Sequence, residues 1–572
     1  MTIQSLRLWL AERLRPEDGY WALLWAVPIG LAGAFATVGF REAIDGIQTL
    51  IFSRSGDPVE VARNSPWYLR LLIPAVGGVA AGLLLRIAVR SSPKGDHPDY
   101  MEAIAIGDGR IPVVGTIARS ISALCSIATG SSVGREGPMV QLAALAASVF
   151  GRLKACRQVD MRTVVACGAA AGITSAYNAP IAGAFFVAEI VLGSVVAERV
   201  APLIVSSVVA NLTMRTLPGY RPPYVLPAIH TLAPADLLFF PILGLVLGLS
   251  APLYLAILRN GKKVFSAFDF PEPVALGIGG VCVGAISVEL PETLGNGYSV
   301  VNDLIHNAPE WSFVATILLF KIVATTISTG SGAVGGVFTP TIFVGAALGS
   351  LFADLTAPLH SNLSQLPLLF IIVGMGAFLG ATTQAPLMAI LMIFEMTLSY
   401  EVMLPLMLST IVAFVCSRSA VSRPMYDVTR RINEKRSAAE RARGACVQDI
   451  LKSTKQTLSS SATIADIGRL FLATPVKYIY LLNRNSQLVG CVALRDYNQM
   501  VMRGVDIGHQ SAALIAGHDI PVLYPDDPIT KALQAFLGHE GERLPVISRT
   551  EDKKFLGVVS KADLLSKIES LV

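Results

Sequence analysis

Charged residues are scarce in this sequence. They make up 15% of its 572 residues, against roughly 25% in an ordinary soluble domain. Hydrophobic residues make up 53%, and between residues 21 and 415 apolar segments follow one another almost without interruption. Several approach the ~20 residues that a helix needs to cross a bilayer, and others break earlier at Gly or Pro. This composition excludes an ordinary soluble protein and predicts a multi-pass membrane protein.

Sequence motifs for metal binding and for disulfide frameworks are also missing. The chain has seven cysteines and seven histidines, but it contains no C-x-x-C and no H-E-x-x-H motif. We therefore expect no metal site and no disulfide framework. The missing zinc motif argues against a membrane-embedded metalloprotease, one of the alternatives for a membrane protein with a soluble tail. We expect a protein that is not an enzyme and requires no cofactor.

The composition changes near residue 430. Basic residues are concentrated just after the last apolar segment, from Arg418 to Arg443, in a stretch that becomes charged and alanine-rich. Positive charge beside a membrane segment favours the cytoplasmic side of the cell membrane. We therefore predict a membrane domain at 1–430, a charged linker at 431–445 and a cytoplasmic tail at 446–572.

The membrane domain repeats itself. The stretch "TGSSVGREGPMVQ" (129–141) is echoed by "TGSGAVGGVFTPT" (329–341). A second pair, 168–190 and 374–396, places an Ala-Pro at the same distance before a glutamate, at Glu189 and at Glu395. Matching segments interrupted by Gly and Pro point to two homologous halves that build a site from broken helices. We place the boundary between the halves near 225–235.

A helix that begins inside a membrane leaves its first N–H groups without partners and carries a partial positive charge. Glycines let such ends converge, so one end from each half can hold a small anion between them. Glu136 is then an anion at the place where the anion binds, and we interpret it as a gate. The alternative is that Glu136 only caps its helix or pairs with Arg135.

These motifs resemble the CLC chloride channels and proton-coupled chloride transporters, particularly a bacterial branch. The resemblance rests on "GREGP" (134–138), "GGVFTP" (335–340) and "RPMY" (423–426). It implies an all-α fold of two inverted repeats with broken helices, and a homodimer with an anion pathway in each subunit. Glu136 matches the gating glutamate, and Tyr426 matches a tyrosine that closes the pathway on the cytoplasmic side. The residues whose backbone N–H groups the resemblance places on the anion are Arg135, Glu136, Gly137, Val337 and Phe338.

The sequence departs from the family pattern at two places. Where many members have a serine that contacts the anion, this chain has Gly95, followed by Asp96 and His97. His97 would titrate near neutral pH, with a helix cap or a loop hydrogen bond as its alternative role. Where proton-coupled members have a second glutamate, Glu189 is followed by Ile190. Three functions therefore remain open: channel-like or weakly proton-coupled chloride transport, chloride/proton antiport by a non-standard proton route, and fluoride export.

The tail contains two similar passages, 488–500 and 555–567, each after an amphipathic helix and a strand pattern. They resemble a pair of CBS domains, at 446–505 and 506–572. The resemblance implies an adenine nucleotide site, with Ser560 and Asp563 in the second repeat and Asp496 in the first, where Ala493 replaces the hydroxyl residue. Both aspartates would otherwise be helix caps. A non-conducting nucleotide sensor is the remaining alternative.

Overall fold

The structure is a computed structural model that consists of two compact units, Met1–Thr429 and Arg430–Val572. It describes residues 18–52, 56–90, 99–153, 160–217, 224, 226–227, 234, 236–307, 309–359, 366–420, 423–426, 445–474, 476–503, 510–517, 520–539, 541–550 and 552–571. The predicted linker up to residue 444 and most of the predicted repeat boundary lie outside these ranges.

The first unit is built from helices. Those of its first half are α1 (Asp18–Phe52), α2 (Pro58–Arg63), α3 (Trp67–Arg90), α4 (Tyr100–Ala105), α5 (Val113–Ala128), α6 (Glu136–Gly151), α7 (Met161–Tyr177), α8 (Pro180–Phe186) with a π-turn at Val187–Val191, and α9 (Ala197–Thr216).

The second half repeats this order except for α2, which has no counterpart among its described helices. Its helices are α10 (Phe239–Ala267), α11 (Glu272–Glu289), α12 (Tyr298–Asn307), α13 (Trp311–Gly330), α14 (Phe338–Thr356), α15 (Leu366–Thr383), α16 (Pro386–Thr397) and α17 (Met403–Arg418). Short 3-10 turns lie at Asp236–Leu238, Pro291–Thr293 and Ala357–Leu359. The predicted all-α repeat architecture is confirmed.

Length and composition identify the helices that can cross a membrane. Within the described ranges, seven helices are long and apolar enough to do so. Others are shorter, including α5, α8, α16 and α17. α15 is buried along almost its whole length, and α7, at the corresponding position of the first half, is largely buried too. These two helices form the interior of their halves, and the helices broken in front of them lie close by.

The two breaks have the same cause in both halves. After α5 the chain turns at Gly130, whose φ is +104°, and after α13 it turns at Gly332, whose φ is +100°. A side chain at such angles is strained, so glycine is needed at both turns. The chain then runs on to the starts of α6 and α14, where the N-cap residues Arg135 and Val337 provide no side-chain cap.

Two backbone hydrogen bonds join the breaks to each other. The N–H of Gly134 donates to the carbonyl of Gly336 at 2.7 Å, and the N–H of Gly336 donates to the carbonyl of Gly134 at 2.8 Å. The pair forms an isolated antiparallel bridge. Such a reciprocal contact is what a two-fold relation between the halves produces, and it brings the starts of α6 and α14 together.

A second reciprocal contact involves the two glutamates of the sequence repeat. The Glu395 carboxylate accepts hydrogen bonds from the N–H groups of Ile181 (2.9 Å) and Ala182 (2.7 Å), in the first turn of α8. The Glu189 carboxylate accepts from Leu387 (3.4 Å) and Met388 (2.8 Å), in the first turn of α16. Each half therefore caps a helix of the other half.

The second unit contains strands β1 (Thr457–Ser459), β2 (Tyr478–Leu482), β3 (Leu488–Ala493), β4 (Arg543–Ile547) and β5 (Phe555–Ser560). Its helices are α18 (Ile464–Ala473), α19 (Leu494–Met502), α20 (Ile529–Leu537) and α21 (Lys561–Leu571), with 3-10 turns at Val447–Ile450 and Ala512–Ile515. β2 pairs parallel to β1 and antiparallel to β3, and β4 pairs antiparallel to β5. The order strand, strand, helix occurs twice, as the sequence predicts.

The glutamate caps generate a stability prediction. Glu395→Ala leaves two N–H groups of α8 without a charged acceptor, so we expect a loss of about 1–3 kcal/mol of unfolding free energy. The change is measured as a lower thermal unfolding midpoint of the purified protein. Glu401→Ala, an exposed glutamate nearby, is the control and should change stability by less than about 0.5 kcal/mol. Equal losses in both variants would contradict the capping role.

Candidate functional site

The Glu136 carboxylate lies at the junction of the two halves. Glu136 is the first residue of α6 and is only 5% exposed. Its Oε1 accepts a hydrogen bond from the backbone N–H of Thr339 at 3.1 Å, and its Oε2 accepts one from the Thr339 hydroxyl at 3.1 Å. A carboxylate from the first half thus occupies the N-terminus of α14 in the second half.

Helix and glycine geometry explain this position. The first turn of α14 has free N–H groups and a partial positive charge, which favour a negative group. Gly134 and Gly336 flank the carboxylate, and a Cβ atom on either residue would collide with it. Both glycines are therefore needed for close approach, in addition to their role in the backbone bridge. The helix end binds the Glu136 side chain as it would bind a free anion.

A hydroxyl pair extends from the carboxylate. Tyr177, at the end of α7, has its hydroxyl 3.0 Å from the Thr339 hydroxyl, and its ring packs 5.1 Å from the Phe338 ring. Neither Thr339 nor Tyr177 was predicted from the sequence. Thr339 lies within "GGVFTP" itself, and a hydroxyl residue in the first turn of a broken helix was the available sequence signal. Tyr177 carries no such signal beyond its place directly before the "NAP" of residues 178–180.

Two cavities border this junction. The larger, about 630 Å³, is lined by Glu136, Gly137, Val337, Phe338 and Tyr426 together with other residues. The smaller, about 370 Å³, is lined by residues that include Arg41, Asp45, Arg135, Asn178 and Tyr298. Arg135 and Glu136 are consecutive but line different cavities, so the start of α6 separates the two spaces.

The predicted anion-site residues therefore fall into two groups. Glu136, Gly137, Val337, Phe338 and Tyr426 share the larger cavity, and Arg135 lines the smaller one. The Phe186 ring lies between Phe338 (6.0 Å) and Tyr426 (5.8 Å) and links them into one aromatic wall. The larger cavity also contains the charged residues Asp99, Glu102, Arg119 and Lys262.

The structure describes only some of the residues at which the sequence departs from the family pattern. Gly95, Asp96 and His97 lie outside the described residues. Ile190 is buried in the π-turn after α8, with 3% of its surface exposed. The neighbouring Glu189 caps α16, so its carboxylate is engaged by backbone N–H groups.

In the second unit, the predicted nucleotide residues are engaged locally. The Ser560 hydroxyl donates to Asp563 Oδ2 at 2.6 Å, and the Asp563 N–H donates to Ser560 Oγ at 3.1 Å. Lys452 Nζ donates to Asp563 Oδ1 at 2.6 Å. Lys452 and Ser560 hold the pKa of Asp563 below its usual range. The Asp563 carboxylate is therefore charged at neutral pH, and its contacts with Lys452 and Ser560 are lost as the pH falls through that lowered pKa. Asp496 lies 3.6 Å from Arg495.

Metal-ligating residues do not cluster in the part of the chain that the structure describes: no group of three or more His, Cys, Asp or Glu side chains is placed to hold a metal ion.

Sequence comparisons agree with this geometry. Residues 76–418 match the family model described as voltage gated chloride channel, and residues 514–570 match the CBS domain model. A putative chloride channel protein ClcB-like from Ralstonia nicotianae is 48% identical over 402 residues, which are 70% of this chain and 94% of that protein. A voltage-gated ClC-type chloride channel ClcB from Citrobacter koseri is 38% identical over 411 residues, 71% of this chain and 97% of that protein. The chain belongs to the voltage-gated chloride channel, or CLC, family.

Solved structures support the same fold. A slow cyanobacterial Cl⁻/H⁺ antiporter superimposes with a TM-score of 0.64 at 24% identity, covering 74% of this chain and all of that one. A CLC-type fluoride/proton antiporter superimposes with a TM-score of 0.58 at 20% identity, covering 75% of this chain and 99% of that one. At these identities the likeness establishes the fold and not the transported ion.

Proposed function

We propose that this membrane protein conducts chloride through a pathway in each subunit and that the Glu136 carboxylate is its protonatable gate. One observation carries the proposal: the carboxylate occupies the N-terminus of α14, where a free anion would bind, and Glu136 lines the larger cavity. The gate and the binding site are therefore the same place. A chloride ion reaches the donors on α14 only after the carboxylate leaves them.

Protonation provides the means of leaving. An ionised carboxylate is a strong acceptor for the N–H and hydroxyl of Thr339, whereas a neutral carboxyl group accepts weakly and has no charge for the helix end to attract. The freed N–H and hydroxyl of Thr339 are then open to the anion, together with the other N–H groups at the two helix starts. In this proposal the N–H groups of Arg135, Glu136 and Gly137 bind it at the start of α6, those of Val337 and Phe338 bind it at the start of α14, and Tyr426 bounds the pathway.

Cations in the larger cavity support anion entry. Arg119 and Lys262 line the same space as Glu136, and positive groups in a cleft raise the local concentration of anions. Asp99 and Glu102 line this cavity as well, so the cavity is not uniformly positive. Binding by helix ends rather than by a lysine at the junction itself also suits transport, because a conducting site must release its ion.

The gate can be tested with Glu136→Gln. This variant keeps the shape of the side chain but removes its charge, so we expect chloride flux at neutral pH to be retained or faster and its pH dependence to be largely lost. Flux is measured from proteoliposomes between pH 4 and pH 8. Glu102→Gln, which changes a carboxylate in the same cavity, is the control and should keep the wild-type pH profile. A wild-type pH profile in Glu136→Gln would exclude Glu136 as the gate.

Proton coupling is proposed to be weak or absent. Ile190 stands where proton-coupled relatives have a second glutamate, and isoleucine cannot carry a proton. The alternative is an antiporter with a non-standard proton route, and one structure with this fold is described as a Cl⁻/H⁺ antiporter.

Simultaneous recording of chloride and pH distinguishes these alternatives. With a chloride gradient across proteoliposomes and no pH gradient, we expect chloride efflux with little proton movement in the opposite direction. Protons driven against their own gradient by chloride would contradict channel-like transport and establish exchange. Repeating the assay with fluoride tests the fluoride-exporting alternative, in which fluoride flux would exceed chloride flux.

We further propose that the protein is a homodimer in the cell membrane with its C-terminal unit in the cytoplasm. Exposed apolar side chains on α9 and α17, such as Leu212, Leu404 and Ile411, are available for contact with a partner subunit or with lipid. The basic residues that follow α17 support the orientation.

The CBS unit is proposed to bind adenine nucleotide weakly, at no more than one site per chain. Ser560 and Asp563 support this site, but Asp563 must release Lys452 before it can accept from ribose hydroxyls, which lowers the affinity.

Calorimetry of the purified protein with ATP, ADP and AMP is expected to detect weak binding that Asp563→Ala abolishes and Asp496→Ala preserves. Binding that survives Asp563→Ala, or no binding of any of the three nucleotides, would leave this unit as an assembly module.

A further inference from the structure

We propose that Thr339 and Tyr177 form a hydroxyl latch that holds the Glu136 carboxylate on α14 and so sets the proton concentration at which the pathway opens. The proposal rests on the role of Glu136 proposed above, and it adds two positioning residues. Thr339 contacts the carboxylate directly, and Tyr177 acts through Thr339.

Hydrogen-bond chemistry fixes the direction of the latch. An ionised carboxylate only accepts hydrogen bonds, so the Thr339 hydroxyl, 3.1 Å from Glu136 Oε2, must donate its single proton to it. The Tyr177 hydroxyl, 3.0 Å from the Thr339 hydroxyl oxygen, must then donate to Thr339. The two O–H groups point in sequence toward the carboxylate, and donors aligned in this way strengthen one another.

Burial makes the latch effective. Thr339 is 2% exposed and Tyr177 is 1% exposed, so water has little access to replace either donor. Hydrogen bonds to charged groups are among the stronger ones in proteins, and they count most where solvent is excluded. The latch therefore favours the ionised, docked carboxylate over the protonated one, and it keeps the pathway closed until the proton concentration is higher.

Other charged or titratable groups also act on Glu136. Within the described residues, these groups include Arg135 beside it, Tyr100 on α4, Tyr177 on α7, Tyr298 on α12, and Tyr426. Asp99, Glu102, Arg119 and Lys262 line the same cavity as Glu136. Arg135 stabilises the ionised carboxylate as the latch does. The latch variants leave Arg135 and the tyrosines other than Tyr177 unchanged, so a change in pH profile reports on the latch.

The same helix provides a matched control. Thr341, two residues further along α14, is 0% exposed, and its hydroxyl lies 3.2 Å from that of Tyr254, which is 3% exposed. The Thr341 hydroxyl donates to the carbonyl of Val337 at 2.7 Å. The Thr341–Tyr254 pair has the chemistry and burial of the latch without contact to Glu136.

The test measures the pH of half-maximal chloride flux in proteoliposomes. Thr339→Val removes a hydroxyl donor from the carboxylate, so we expect the midpoint to move to higher pH by about one unit, the size expected from one hydrogen bond to a charged group. Tyr177→Phe should move it in the same direction by less. Thr339→Ser keeps the hydroxyl and should restore the wild-type midpoint. Thr341→Val and Tyr254→Phe should leave the midpoint unchanged.

Combined variants separate the latch from a general effect of removing buried hydroxyls. Because Tyr177 acts through Thr339, the double variant should match Thr339→Val alone. Equal shifts from Thr341→Val, or no shift from both Thr339→Val and Tyr177→Phe, would overturn the latch. In a Glu136→Gln background the latch variants should have no effect. If flux remains pH-dependent in Glu136→Gln itself, the proposed gate fails; if only the latch variants are silent, the latch fails and the gate stands.

Discussion

The pair of hydrogen bonds between Gly134 and Gly336 is the contact on which the site depends. It joins two chain segments some two hundred residues apart, at the points where each half interrupts a helix. The bonds are short, at 2.7 and 2.8 Å, and they require two backbones to meet without side chains between them. The starts of α6 and α14 consequently face one region. Without this contact, the Glu136 carboxylate of the first half would not reach the Thr339 donors of the second half.

The halves share their architecture but not their roles. Glu136 begins α6 and Phe338 begins α14, so corresponding positions carry a carboxylate in one half and an aromatic ring in the other. The first half supplies the Glu136 carboxylate, and the second half supplies the Thr339 donors that bind it. The Phe338 ring packs against Tyr177 and Phe186, which excludes water around those donors. Asymmetry at one pair of positions thus places a carboxylate of the first half at a helix start of the second half.

Much of this arrangement could be predicted from the sequence, because broken helices require glycines at fixed places and repeats reveal the halves. The position of Glu136 at the start of a broken helix followed from a charged residue in an apolar stretch. The direction of its side chain did not, since the acceptor for Thr339 is set by packing between segments far apart in sequence. The contact between Tyr177 and Thr339 could not be predicted for the same reason. Glu189 and Glu395 were noticed only as marks of the repeat, because nothing local shows that each caps a helix of the opposite half.

Those reciprocal caps bear on how the chain is made. A ribosome delivers α8 to the membrane before Glu395 has been synthesised, so the first turn of α8 initially lacks the acceptor that it has in the finished protein. Until Glu395 is made, the amide groups in the first turn of α8 are exposed, and exposed amide groups are costly in hydrocarbon. Completion of α16 satisfies both helix starts at once. Assembly of the halves is therefore the step that makes each of them a finished membrane structure.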